Sequence, residues 1–155
     1  MKPTADLYDD HGEDLQSCTT QFRNLGGRPT FEGAITTVKV FEDNVIVKAT
    51  LAEDGAGRVL VVDGAGSLSA ALMGDKMADL AADNGWEGVV INAAVRDVDA
   101  LSRVDLGIKA LGSNPRKSTK NGIGQRDVVV TFGGATFAPG QHLYSDNDGI
   151  LVTRS

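Results

Sequence analysis

A single cysteine, Cys18, occurs in 155 residues. One thiol forms no internal disulfide framework and no cysteine-based zinc site. Histidine is nearly as scarce: His11 and His142 lie far apart in sequence and make no metal-type pair. No Ser-His-Asp set or nucleophile elbow is present. Positive charge is in deficit, with 15 Lys and Arg against 21 Asp and Glu and a net charge of -6. That balance argues against direct nucleic-acid binding and against anionic membranes, both of which need a basic surface. Long apolar runs are missing too, so nothing here spans a bilayer. The start, Met1-Lys2-Pro3-Thr4-Ala5-Asp6, lacks the apolar core of a signal peptide. These absences point to the cytoplasm.

What is present fits a folded chain. Apolar residues make up 41% and charged residues 23%, which places the chain among globular proteins and outside the disordered class. The length suits one domain over residues 1–155 with a real core. Nineteen glycines predict many tight turns.

The stretch from Val59 to Asp97 organises the sequence. Arg58 to Asp63 is a continuous apolar run with a polar end, the pattern of a strand covered on both faces. Gly64-Ala65-Gly66 ends it. A third dinucleotide-type glycine would fall at Ser69, so the reading is a tight turn whose N–H groups face a small anion. Gly74-Asp75 then opens a helix with Met73, Met77, Leu80 and Ala81 on one face and a stop at Asn84-Gly85. Gly88 to Val95 is a second apolar strand, closed by Arg96-Asp97.

Charged residues just past the ends of buried strands are where open α/β sheets put ligand sites. Asp75, Arg96 and Asp97 can therefore converge on one crevice. Each has a plainer alternative. Asp75 suits a helix cap or dipole partner, and Arg96 and Asp97 suit a local salt bridge. Adjacent strand residues also point to opposite faces, so at most one of that pair faces the crevice unless the strand has ended. A carboxylate there is a hard oxygen ligand suited to Mg²⁺, and an arginine offers a planar donor fork to carboxylate or enolate oxygens.

The flanks read less sharply. Thr4 is expected to cap a short helix ending near His11-Gly12, with Leu7 and Tyr8 inward and acidic residues from Asp6 to Asp14 on a solvated face. Asn24 to Pro29 is turn chemistry, and Gly33 to Phe41 is strand-like. Val45-Ile46-Val47 favours strand by propensity. The spacing of Val45, Ala49 and Ala52 after Asn44 favours helix, which we expect as far as Gly55. Val98 to Arg103 is a helical turn and Leu106 to Leu111 a strand. Gly112 to Gly122 is a basic loop, suited to an anion, a solvated linker or a subunit contact. Asp127 to Phe132 alternates as a strand, Gly133-Gly134 turns, and Thr136-Phe137 is extended. Asp146-Asn147-Asp148-Gly149 lacks the rest of a calcium loop and reads as a hairpin turn into Ile150-Leu151-Val152.

Several of these runs together resemble the family of the regulator of ribonuclease activity A. They are Val61 to Gly66, Gly74-Asp75, Ala94 to Asp97, Asp105 to Ile108, Phe132 to Phe137 and Gly140 to Gly149, and the likeness extends from about Thr4 to Val152. Members were long misnamed demethylmenaquinone methyltransferases, yet the sequence shows no methyl-donor site. The same family includes the 4-hydroxy-4-methyl-2-oxoglutarate aldolases, which also decarboxylate oxaloacetate. Their motif is an Asp, twenty intervening residues, then Arg-Asp, which Asp75, Arg96 and Asp97 fit in full.

The resemblance implies an α/β fold: a mixed sheet core with flanking helices, of the swivelling β/β/α type, in a homotrimer with sites near subunit boundaries. It implies a metal-dependent carbon–carbon lyase acting on small 2-keto acids through a pyruvate enolate. Asp97 would bind the divalent metal, Mg²⁺ or Mn²⁺. Arg96 would meet the keto and enolate oxygen, and Asp75 would hold the water that transfers protons. Backbone amides near Gly74, Lys76 and Met77 would receive the substrate carboxylate. A Schiff base on Lys76 is the alternative chemistry. Ala100 stands where such aldolases often carry an acidic residue, with Asp99 one place early, and the sequence ends at Ser155 without the extension by which some complete a neighbour's site. The family also implies a different role, a protein-interaction regulator that binds and inhibits ribonuclease E. Some such regulators lack the Asp of the Arg-Asp pair, which is retained here.

Overall fold

The computed structural model describes residues 1–155. In chain order its elements are α1 (Thr4–His11), a 3₁₀ turn (Gly12–Asp14), β1 (Leu15–Cys18), β2 (Arg23–Asn24), β3 (Phe31–Lys39), α2 (Val45–Leu51), β4 (Arg58–Asp63), α3 (Asp75–Asp83), β5 (Gly88–Val95), α4 (Val98–Leu101), β6 (Gly107–Ser113), β7 (Gln125–Arg126), β8 (Val130–Phe132), β9 (Ala135–Phe137), β10 (His142–Asp146) and β11 (Gly149–Thr153). The main sheet runs β1-β11-β10-β3-β4-β5-β6-β2, with β7 also paired to β3. The inner pairs β3–β4, β4–β5 and β5–β6 are parallel and the outer pairs antiparallel. This is the expected α/β architecture with a mixed sheet core.

The parallel strands dictate where the helices go. Each parallel neighbour needs a crossover, and α2, α3 and α4 supply the three in turn. All three pack on one face. Val47, Leu51, Met77, Ala78, Ala81 and Leu101 share a core with Leu60, Val62, Val89 and Ile91. The alternate residues Val59, Val61 and Val90 point the other way, into a second core with Phe137, Leu143 and Val152. Both faces of β4 and β5 are therefore covered, which is why their sequences read as unbroken apolar runs.

Several boundaries differ from the sequence reading. Thr4 lies inside α1, not ahead of it; its N–H and its hydroxyl both donate to Asp146, each at 2.7 Å. A distant carboxylate thus does the work of a local cap. Leu7 is buried, but Tyr8 is exposed. β1 pairs with β11 along its whole length, a partner that local propensity does not reveal. β3 starts at Phe31 and ends at Lys39, leaving Phe41 in solvent. α2 is a helix as expected but ends at Leu51. Asp43, not Asn44, accepts its first N–H, that of Val45, at 3.1 Å. Asp127 has φ 59, so the stretch to Phe132 is extended only from Val130. The hairpin turn between β10 and β11 forms as read.

Candidate active site

β5 ends at Val95, and the chain leaves the sheet through Arg96 and Asp97. Asp97 turns with φ 62 and ψ 41, a left-handed conformation that aspartate tolerates better than most residues. Because the strand has ended, both side chains line one cleft of about 370 Å³. Gly74 and the first residues of α3, Asp75, Lys76 and Met77, line it, with Lys48 from α2, Asn44 from just ahead of α2, and Lys117, Ser118 and Lys120 from the loop after β6. The cleft lies at the carboxyl ends of the parallel strands, the usual ligand position in open sheets. Every site residue read from the motif reaches it.

Local bonds shape the cleft. Asp97 Oδ2 accepts the backbone N–H of Asp75 at 3.0 Å. A Cβ on Gly74 would lie 2.5 Å from that same oxygen, so only glycine leaves room for it. The Asp75 side chain makes no cap bond to its own helix. Arg96 and Asp97 do not pair as the local salt bridge that was the plainer alternative; Arg96 Nη1 instead reaches the Pro115 carbonyl at 3.4 Å. The N–H groups of Lys76 and Met77 have no backbone acceptor. Free N–H groups at a helix start form an anion site.

Charge in the cleft opposes charge on the whole. Lys48, Lys76, Arg96, Lys117 and Lys120 outnumber Asp75 and Asp97, although the chain carries -6. A concave cationic patch on an acidic body concentrates small anions there. The glycine turn does not contribute. The N–H groups of Gly64 and Gly66 donate to the Asn92 carbonyl and that of Ala65 to Asp63, so the small-anion reading of that turn is corrected.

Sequence reasoning left the far wall of the cleft open. Asp43 is buried and accepts the N–H groups of Asn121 at 2.8 Å, Gly122 at 3.3 Å and Ile123 at 3.4 Å, as well as the Thr119 hydroxyl at 3.4 Å. Burial pushes its carboxyl up, but these donors and the Val45 N–H together hold it below the usual aspartate range. The loop carrying Lys117, Ser118 and Lys120 is thereby fixed beside α2. Its basic composition was the one local signal. Asp43 and Lys48 gave none.

The donor set bears on a metal. No three His, Cys, Asp or Glu side chains converge anywhere in the molecule. A metal that demands a full protein cage does not fit, whereas Mg²⁺ usually takes one or two carboxylates and keeps its waters. Asp97 meets that need: one oxygen is held by the Asp75 N–H and the other has no protein donor. Asp75 stands beside it at the same cleft wall.

Fold and cleft together define an α/β protein with a lysine-rich cleft at the carboxyl edge of its parallel strands. Residues 4–152 match the RraA-like family, described as Aldolase/RraA, and the chain belongs to that family. It is similar to the structure described as S-adenosylmethionine: 2-dimethylmenaquinone methyltransferase from Geobacillus kaustophilus HTA426, at 44% identity and TM-score 0.97 over 99% of this chain and 95% of that one. It is also similar to the RNA-processing inhibitor RraA from Thermus thermophilis, at 43% identity and TM-score 0.95 over 98% and 92%. A more distant likeness is Streptomyces coelicolor RraAS2, described as an unusual member of the RNase ES inhibitor RraA protein family, at 25% identity and TM-score 0.75 over 96% and 76%. The family holds both aldolase members and ribonuclease inhibitors.

Proposed function

We propose that the chain is a divalent-metal-dependent carbon–carbon lyase acting on small 2-keto acids, with 4-hydroxy-4-methyl-2-oxoglutarate aldolase and oxaloacetate decarboxylase activity. The observation that carries this reading is the meeting of Asp75, Arg96 and Asp97 in one cationic cleft, with one Asp97 oxygen lacking a protein donor. Asp97 would hold Mg²⁺ or Mn²⁺, which when bound supplies Lewis-acid withdrawal of electrons from the keto acid. The N–H groups of Lys76 and Met77, next to Gly74, receive the substrate's 1-carboxylate. Arg96 donates to the keto oxygen and holds it more tightly as negative charge grows there in the pyruvate enolate. Asp75 orients the water that delivers a proton to C3. The chain acts as one domain, in the cytoplasm, as a homotrimer. Oxaloacetate turnover with Mg²⁺ or Mn²⁺, lost on adding chelator, is the expected result. A folded protein with no metal-stimulated turnover on either keto acid would overturn it.

A second reading, binding and inhibition of ribonuclease E, is favoured by a separate observation. Phe41 is 64% and Ile123 70% exposed, and both line one shallow hollow away from Arg96. Exposed apolar side chains side by side suit a protein partner. The Asp97→Ala protein separates the two: it should lose lyase activity and, if the second reading also holds, still slow RNA cleavage by ribonuclease E.

A further inference from the structure

Three segments of the chain meet beside Arg96: the end of β5, the segment between β4 and α3, and the loop after β6. A hollow of about 280 Å³ opens there, lined by Arg96, Asp97, Val98, Ser113, Asn114 and Pro115. Asn114 bonds to all three segments. Its N–H donates to the Val95 carbonyl at 3.0 Å, one residue before Arg96. Its amide NH₂ donates to the Leu68 carbonyl at 2.8 Å. Its amide oxygen accepts the Arg116 N–H at 3.0 Å, which closes a turn over Pro115 of the kind asparagine favours. The Pro115 carbonyl then accepts from Arg96 Nη1 at 3.4 Å.

That carbonyl is the one protein acceptor the guanidinium has. The rest of Arg96 is held by other means. Its N–H donates to the Met73 carbonyl at 3.0 Å. A Cβ on Gly74 would lie 3.4 Å from its Cγ, so the start of α3 packs on its stem. Only the head depends on Pro115. An exposed arginine without a tether spreads over many rotamers, and ordering it costs free energy. A carboxylate tether would offset the charge and compete with a substrate oxygen. A carbonyl orients the planar fork and leaves the charge whole. At 3.4 Å the bond is longer than usual and yields readily to a better acceptor.

We propose that Asn114 is a positioning residue for Arg96. By fixing the turn that presents the Pro115 carbonyl, it holds the guanidinium where the keto oxygen becomes an enolate oxygen. This rests on the lyase reading, which puts that oxygen at Arg96. A donor aimed before the charge develops needs no reorganisation during the reaction. The benefit therefore falls on the transition state and is read in kcat more than in KM. Asn114→Ala keeps the backbone bond to Val95 and removes only the two side-chain bonds.

The test is a double-mutant cycle of Asn114→Ala with Arg96→Ala on the full chain in buffer containing Mg²⁺. Binding of oxalate, which has the planar, charged oxygens of the pyruvate enolate, is measured by calorimetry beside binding of pyruvate. Asn114→Ala should lower oxalate affinity about tenfold, the effect of one charge-assisted hydrogen bond. Pyruvate, whose keto oxygen carries no full charge, should lose no more than about twofold. In the Arg96→Ala background the same substitution should move oxalate affinity by less than about twofold, because the group it positions is gone. The melting temperature should fall equally in both backgrounds. Asn114→Ser keeps an oxygen for the Arg116 N–H and should recover part of the oxalate affinity; it carries the cycle if the alanine protein does not fold. Equal loss of oxalate affinity in both backgrounds, or no loss in either, overturns the proposal. Metal-stimulated turnover of oxaloacetate with kcat unchanged in Asn114→Ala removes the positioning role and leaves the lyase. Coupled loss of oxalate affinity in a chain that turns over neither keto acid upholds the positioning of Arg96 and removes the lyase.

Discussion

Asp97 Oδ2 accepts the backbone N–H of Asp75 at 3.0 Å, so one carboxylate both ends a turn after β5 and starts α3. The two jobs are separable by substitution. Asp97→Ala removes the metal ligand and the cap together; the lost cap costs about 1 kcal/mol. Asp97→Asn keeps an oxygen that can cap α3 but removes the charge. Both should lose metal-stimulated decarboxylation, while only the alanine protein should melt measurably lower. Full metal-stimulated turnover in a folded Asp97→Ala protein would sink the metal-ligand assignment.

Gly74 offers a gentler probe of the same oxygen. Its backbone has φ -125 and ψ -165, which any residue adopts, so alanine there brings no backbone strain. The added Cβ would instead stand 2.5 Å from Asp97 Oδ2 and push the carboxylate away from Asp75. Gly74→Ala is expected to weaken Mg²⁺ dependence sharply, read as a higher metal concentration for half-maximal turnover, with a change in melting temperature smaller than that of Asp97→Ala. An unchanged metal dependence would mean that the carboxylate position is immaterial.

Asp43 governs the far wall and should appear in the pH dependence of stability. Burial raises its carboxyl, but the N–H groups of Val45, Asn121 and Ile123 and the Thr119 hydroxyl outweigh that, so the folded value is depressed. A depressed carboxyl contributes stability that is fully present above the unfolded value, about 3.9, and is lost as pH falls through the lower folded value. Asp43→Asn turns an amide NH₂ toward N–H donors and should cost about 1–3 kcal/mol at neutral pH. The gap between wild type and variant should stay level above about pH 4 and narrow below it, measured by denaturant melts across the range. A gap that does not narrow in acid would assign Asp43 a purely steric role.

The parts legible in the sequence were those whose signal is local. β4 and β5 announce themselves because both faces are covered, and α3 because Gly85, at φ 82, ends it in a left-handed turn. Asp75, Arg96 and Asp97 were legible because one helix–strand unit, α3 followed by β5, spaces all three at a fixed gap. The rest depends on partners far along the chain. β1 is a strand through its pairing with β11, and Thr4 is held by Asp146, 142 residues away. Lys48 and Lys120 line one cleft because contacts such as that of Asp43 with the Asn121 N–H, across 78 residues, hold the loop beside α2. Exposed lysines carry no periodicity, and a buried aspartate that opens a helix looks like any other cap.

Arg96 separates chemistry from binding. Its guanidinium lines the cleft with one long bond to the Pro115 carbonyl and no carboxylate partner, so the fork is available to a substrate oxygen. A contact to an oxygen whose charge grows during enolate formation is stronger in the transition state than in the ground state. Its loss should therefore lower kcat as well as raise KM, by about 10²–10³ in rate for one preorganised donor. Arg96→Lys keeps the charge but not the planar fork and should recover only part of the activity. Mg²⁺ affinity measured without substrate should barely change in either variant, because Arg96 is not a ligand. Steady-state kinetics on oxaloacetate beside metal calorimetry decide the matter. A rise in KM alone, with kcat untouched, would make Arg96 a substrate anchor only and would move stabilisation of the enolate oxygen to another donor in the cleft, with Lys76 the nearest in sequence to Asp75.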